Sequence, residues 1–191
     1  MAQDNFWTSK GVDPKRKYRF TVSLAGGATY RSSFGAIAPL WFAKTVDKPE
    51  ITVNTADVNF MQHKFYFPGT VEWNEVSLVL TDPISPDAAG ATAALLSAMG
   101  YVGPEGAVQN LQSIAKTQSF EVIIKQVDAK GVTQEQWTLK NAFIIKLGYG
   151  DLDYTSEDLS EITMTFRYDW AEIITQGEGG PFFNGTNDSD D

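Results

Sequence analysis

Apolar and polar residues alternate with a period of two through most of this chain, which predicts strands with one wet face. Tyr18, Phe20, Val22 and Leu24 alternate with Lys17, Arg19, Thr21 and Ser23, and the small residues 25–28 then predict a turn. A strand is expected around 40–46, with Pro49 as a break, and a β-branched one over 51–55. The aromatic run 63–67 reads as extended, and Pro68-Gly69 predicts a turn after it. In the next strand, 71–81, Val76, Leu78 and Leu80 face one way and Ser77 and Thr81 the other.

The pattern changes after Asp82. Pro83 and Pro86 end the strand, Asp87 is placed to cap a helix over 88–99, and Gly100 is placed to stop it. A second, weaker helical run spans 105–116, with Val108, Leu111, Ile114 and Ala115 on one face. Alternation resumes with Phe120, Val122 and Ile124 against Glu121 and Lys125, and residues 128–131 turn the chain as a hairpin. Trp137 and Leu139 share a face on the return, and Phe143, Ile145 and Leu147 carry the same parity up to the break at Gly148-Tyr149-Gly150. The last run is the most regular: Ile162, Met164, Phe166, Tyr168 and Trp170 against Glu161, Thr163, Thr165, Arg167 and Asp169. An antiparallel sheet with one buried face follows from it. The chain therefore divides into one β-domain over 1–175, with a helical insertion at 86–117, and an acidic Gly/Asp-rich tail over 176–191.

A length of 191 residues suits one such domain and a core that needs no staples. There is no cysteine, so no disulfide framework and no thiolate metal site. The first ten residues lack the apolar core of a secretory signal, and no apolar stretch is long enough to span a bilayer as a helix. A net charge of −9 makes the chain a poor nucleic-acid binder, because phosphates would repel it.

Searching for chemistry yields little. A lone His63 in an extended segment has no partner for a metal site or a triad. The acidic turn 151–158 alternates carboxylates as a calcium loop does. The sixth residue from Asp151 is Ser156 and the twelfth is Ile162, where an EF-hand needs Gly and Glu. It reads as a solvated turn or an interface loop. No nucleophile elbow, Walker loop or dinucleotide fingerprint occurs. The expectation is a non-enzyme without cofactor or metal.

Three stretches in order carry a family resemblance: 64–73 with its aromatic-Pro-Gly sequence, leading to a strand that ends at Asp82; the helix after it; and the closing segment from Asn141 through the acidic turn to Trp170. Together they resemble the tail tube proteins of contractile-tailed bacteriophages, over residues 17–174. The second helical run and the acidic tail depart from that pattern. The resemblance implies a mainly β fold, an antiparallel β-barrel or sandwich with one flanking α-helix. It implies hexameric rings that stack into a tube in the virion tail, assembled in the host cytoplasm. The implied partners are further copies of the chain, a tail sheath protein, baseplate and tail terminator proteins, and double-stranded DNA in unspecific transit, with no membrane insertion. The polar faces of the amphipathic strands supply lumen candidates: Glu121, Glu161, Thr163, Thr165 and Asp169, with Lys125 and Arg167 mixed among them. A hairpin near 42–68 corresponds to the loop that reaches the next ring. Lys44, Asp47, Lys48, Glu50, Asp57 and His63 are its candidate contacts. The alternatives are a type VI secretion ring protein and, from a different class, a carbohydrate-binding β-sandwich module, for which exposed aromatics on one strand face would speak. A glycoside hydrolase ranks last.

Overall fold

A computed structural model describes residues 15–26, 40–85, 87–99, 101 and 120–175. Among these the alternating runs become nine strands and one helix. They are β1 (Phe20–Ala25), β2 (Ala43–Val46), β3 (Ile51–Phe60), β4 (His63–Trp73), β5 (Val76–Thr81), α1 (Ala88–Ala98), β6 (Phe120–Val127), β7 (Thr133–Gly148), β8 (Glu161–Arg167) and β9 (Trp170–Thr175). The predicted stop at Gly100, the helical run 105–116 and the tail 176–191 lie outside the described residues.

All pairings are antiparallel, and the 16-residue β7 organises them. Its first part lies between β6 and β9, and β1 extends that half beyond β6. Its last part pairs with β8, and β5 and β2 follow. β7 passes from one half to the other where Asn141 takes a φ of 59° and a bulge falls between Ile144 and Lys146. Such irregularities let one strand serve two packed sheets. On the opposite side the Leu40 N–H donates to the Val22 carbonyl at 2.7 Å and the Thr81 N–H to the Phe42 carbonyl at 2.9 Å. Residues 40–42 thereby lace β1 to β5. The expected mainly antiparallel β fold with one helix is the fold observed.

Both halves bury their apolar faces in one core. Val22, Leu24, Val122, Ile124 and Leu139 meet Leu78, Leu80, Ile162 and Met164 there, and the Phe120 and Phe166 rings join edge to face at 5.6 Å. In α1, Ala88, Thr92 and Leu95 are buried, and so is Met99 at its C-cap, a stripe at helical spacing. Asp87 caps the helix as expected, its carboxylate accepting the Gly90 N–H at 2.9 Å.

The single strand expected over 71–81 breaks at Asn74-Glu75 between β4 and β5. Four further details depart from the strand reading, each where a bulge, turn or break changes the period. Tyr18 precedes β1 and is exposed. The bulge in β7 shifts the parity, so Ile144 enters the core while Phe143 and Ile145 face outward. The last alternating run is interrupted at Tyr168-Asp169, which puts Ala171 in the core and turns Trp170 out. Pro68-Gly69 does not turn the chain: β4 continues through it to Trp73, with a bulge absorbing the extra residue. The turn lies instead at Met61-Gln62, where Met61 takes a φ of 54°.

Candidate assembly surfaces

Among the described residues, β3 and β4 form a separate two-stranded sheet that pairs with no other strand. At about 3.4 Å per residue, ten residues give an arm roughly 30 Å long. Cross-strand partners place Ala56 opposite Phe67, Val58 opposite Phe65 and Phe60 opposite His63 on one face of its distal half. The other face carries Asp57 opposite Tyr66 and Asn59 opposite Lys64, with a Lys64–Asp57 ion pair at 2.9 Å. Phe60, Phe65, Phe67, Val58 and Met61 are all exposed. A lone two-stranded ribbon with an exposed apolar face is marginal in water.

The arm is rooted by a buried carboxylate. Glu135 of β7 accepts from Lys48 Nζ at 2.6 Å, from Trp137 Nε1 at 2.6 Å and from Lys15 Nζ. Lys48 also reaches Gln126 Oε1 at 3.0 Å. Trp73, at the end of the arm, packs on Tyr168 with ring centroids 5.9 Å apart. Burial raises the Glu135 pKa, but the bonds from Lys15, Lys48 and Trp137 outweigh it and hold the carboxyl at about 2, below its ordinary 4.5. A depressed pKa means that the charged form stabilises the fold above pH 4.5 and that this contribution is lost as the pH falls towards 2. Glu135→Gln should cost about 2–3 kcal/mol at pH 7. The difference from wild type in urea unfolding should shrink as the pH is lowered through that window; a constant difference would refute the assignment.

The inter-ring candidates divide accordingly. Asp57 and His63 lie on the arm. Lys48 is engaged in the root, and Asp47 accepts the Ser77 N–H at 3.3 Å. Glu50 is at the root too, its carbonyl accepting the Asn74 N–H at 2.9 Å. Lys44 pairs with Glu161, whose carboxylate raises the lysine's pKa. The phenylalanines of the arm were not among the candidates, because aromatics spaced two apart in a strand read as core. The signal available was their concentration around residues 60–67.

The lumen candidates do not share one surface. Glu161, Thr163 and Thr165 line the outer face of the β7-β8-β5-β2 half, beside Thr81, Val79 and Ser77. Glu121 lies on the outer face of the other half, 2.8 Å from Lys140, whose pKa it raises. Asp169 sits at the β8–β9 break and accepts from Asn141 Nδ2 at 2.5 Å. Glu121 and Glu161 are thus each neutralised by a lysine. The negative charge is concentrated elsewhere: residues 149–160 and 176–191 each hold four carboxylates and no lysine or arginine, which together make up eight of the nine net charges.

The 149–160 segment lies at the end of β5 opposite the arm. The Asp82 N–H donates to the Ser160 carbonyl at 2.9 Å, joining it to the loop after β5. Leu152 (93%), Tyr154, Leu159 and the neighbouring Ile84 (100%) are exposed. Asp153 caps its own turn, accepting from the Thr155 N–H and hydroxyl at 2.9 Å, and these bonds lower its pKa. The loop starts at Gly150, where φ is +70° and an added Cβ would lie 2.9 Å from the Glu161 carbonyl. Gly150→Ala should therefore cost about 1–3 kcal/mol in urea unfolding. Among the described residues no group of histidine and acidic side chains is arranged to hold a metal ion, and no helix is long and apolar enough to cross a membrane.

A chain in the cryo-EM structure of the anti-feeding prophage (AFP) baseplate matches this fold with a TM-score of 0.63 at 15% identity, covering 86% of this chain and 97% of that one. The fold is that of contractile tail tubes. A tail-tube fold also matches in the sheath–tube complex of the PVC extracellular contractile injection system in its extended state, at TM-score 0.60 and 18% identity, with 85% and 92% coverage. The crystal structure of an Hcp protein matches more distantly, at TM-score 0.51 and 11% identity, with 86% and 97% coverage. No family model matches the sequence, and no curated protein does.

Proposed function

We propose that this chain is the tube subunit of a contractile tail. Copies close edge to edge into hexameric rings, and rings stack into a hollow tube. The observation that carries the reading is a tail-tube fold bearing a long arm whose apolar face is exposed and pairs with no other described strand. The two halves end in strand edges, and head-to-tail contacts between edges close into rings where the rotation allows it. The names of the structural neighbours agree with the partners expected: a six-fold baseplate, a sheath–tube complex and a tube-terminating cap. A sheath would surround this tube, a baseplate would start it and a terminator would end it.

The system proposed is a bacteriophage virion, assembled in the host cytoplasm, with double-stranded DNA as the cargo. The outer face of the β7-β8-β5-β2 half is the better lumen wall. Thr163, Thr165 and Ser77 give it short uncharged side chains, and the Lys44–Glu161 and Arg167–Glu75 pairs cancel charge at its margins. Besides Lys146, which stands opposite Thr165 on β7, DNA would find little there to bind. The role is structural and not enzymatic.

Negative-stain electron microscopy of the purified chain, alone and co-expressed with sheath and baseplate proteins, tests the reading. Rings or tubes of uniform width are expected. Monomers under every condition would overturn it, and a glycan screen would then test the binding-module alternative.

A further inference from the structure

We propose that the acidic segment 176–191 docks on its own chain, in the basic, aromatic-floored groove between β1 and β2 beside the root of the arm. The inference goes beyond the tube reading and does not depend on it. The groove, of about 840 Å³, has half-buried Phe20, Val46 and Trp137 in its floor and Lys17, Lys44 and Lys48 at its rim, with Asp47 among them. Lys44 is held by Glu161 and Lys48 by Glu135, whereas Lys17 has no ion-pair partner among the described residues. Residues 15–19, which lead into the groove, hold four of the chain's fifteen lysines and arginines. In a chain of net charge −9, this is where an acidic segment meets attraction.

Strand register brings the start of that segment to the groove. Thr175, Glu135, Gln126 and Phe20 form one rung across β9, β7, β6 and β1. Strands about 4.8 Å apart put Thr175 roughly 14 Å from Phe20. Phe182 and Phe183 follow soon after Thr175 and are the aromatic residues of 176–191. At about 3.3 Å per residue the intervening chain spans roughly 23 Å, enough to lay both rings on Phe20 and Trp137. Asp188, Asp190 and Asp191 come next and can reach Lys17 and the cations before it. The rings would gain an apolar floor and the aspartates a cationic rim. Residues 1–14 also arrive here, through Lys15, but they carry two aspartates and one lysine, against four carboxylates and no cation in 176–191. Docking would brace Lys48, at the point where the chain enters the arm.

The chain has no cysteine, so engineered ones report without background. The full-length double variant Tyr18→Cys/Asn184→Cys tests the contact, with Thr21→Cys/Asn184→Cys as the control. Both β1-side positions are exposed, and Thr21 lies next to the same rung on the outer face. Under dilute oxidising conditions the groove pair should close an intramolecular disulfide at least about tenfold faster than the control, through the local concentration that docking creates. Adding Phe182→Ser and Phe183→Ser should bring the groove pair down to the control rate, and raising the salt concentration should narrow the difference. Equal rates for the two pairs, disulfides formed only between chains, or an excess that survives loss of both phenylalanines would each overturn the proposal. The second of these outcomes would assign the groove to the segment of another copy.

Discussion

Phe166→Ala is expected to destabilise the fold by about 3–5 kcal/mol, as full truncation of a buried aromatic does. Phe166 is fully buried near the end of β8, opposite Val76 on β5 and Ile144 on β7. Its ring meets Phe120 of the other half edge to face at an interplanar angle of 79°. Alanine would remove that cross-half contact and leave a cavity between strands that the β7 hinge holds in place. Domains of this kind have about 5–15 kcal/mol in total, so the variant should unfold at much lower urea. The midpoint should fall while the slope of the transition stays unchanged. A shift of under about 1 kcal/mol would mean that the two halves do not share one core.

Phe65→Asp together with Phe67→Asp should abolish tube assembly while leaving the subunit folded. Both side chains stand on the open face of the arm, far from the core, so the unfolding midpoint of the isolated subunit should move by less than about 0.5 kcal/mol. Fully covering a large apolar side chain is worth about 1.5–3 kcal/mol, and two rings each about half exposed forfeit about that much together. That raises the concentration needed for stacking by about one to two decades. Sedimentation and microscopy at concentrations where wild type polymerises would show rings or single subunits in place of tubes. Wild-type tubes from the variant would show that the arm's apolar face is not an assembly surface.

Strand identities were legible in the sequence because alternation is written locally. Val76, Leu78, Leu80, Ile162, Met164 and Phe166 each sit in the core where a period of two put them. The Asp87 cap was legible for a similar reason, since one carboxylate and the next few amide groups settle it. The arm was half legible. Its strands were visible, but Pro68-Gly69 suggested a turn because the same residues serve turns and bulges. Which of the two forms depends on whether the facing strand can continue, and β3 does continue, to Phe60.

The surfaces were the least legible part. Sequence pattern separates a wet face from a dry one, but not one wet face from another. Glu121 and Glu161 therefore looked equivalent, although they lie on different halves. Apolar residues on the arm looked like core, because alternation does not say whether anything lies above the face. Glu135 looked like one surface carboxylate among many until folding brought Lys15 and Lys48 to it.

By itself, the sequence determined the class of fold, the strand faces up to each bulge or break, the helix start and the absence of cysteine chemistry, since each depends on neighbours within a few residues. The tertiary structure alone decided how β7 divides between two halves, what roots the arm and that the arm and the acidic loop lie at opposite ends. Those outcomes depend on pairings between residues far apart in the chain, where closure and competition among strand edges leave no local trace.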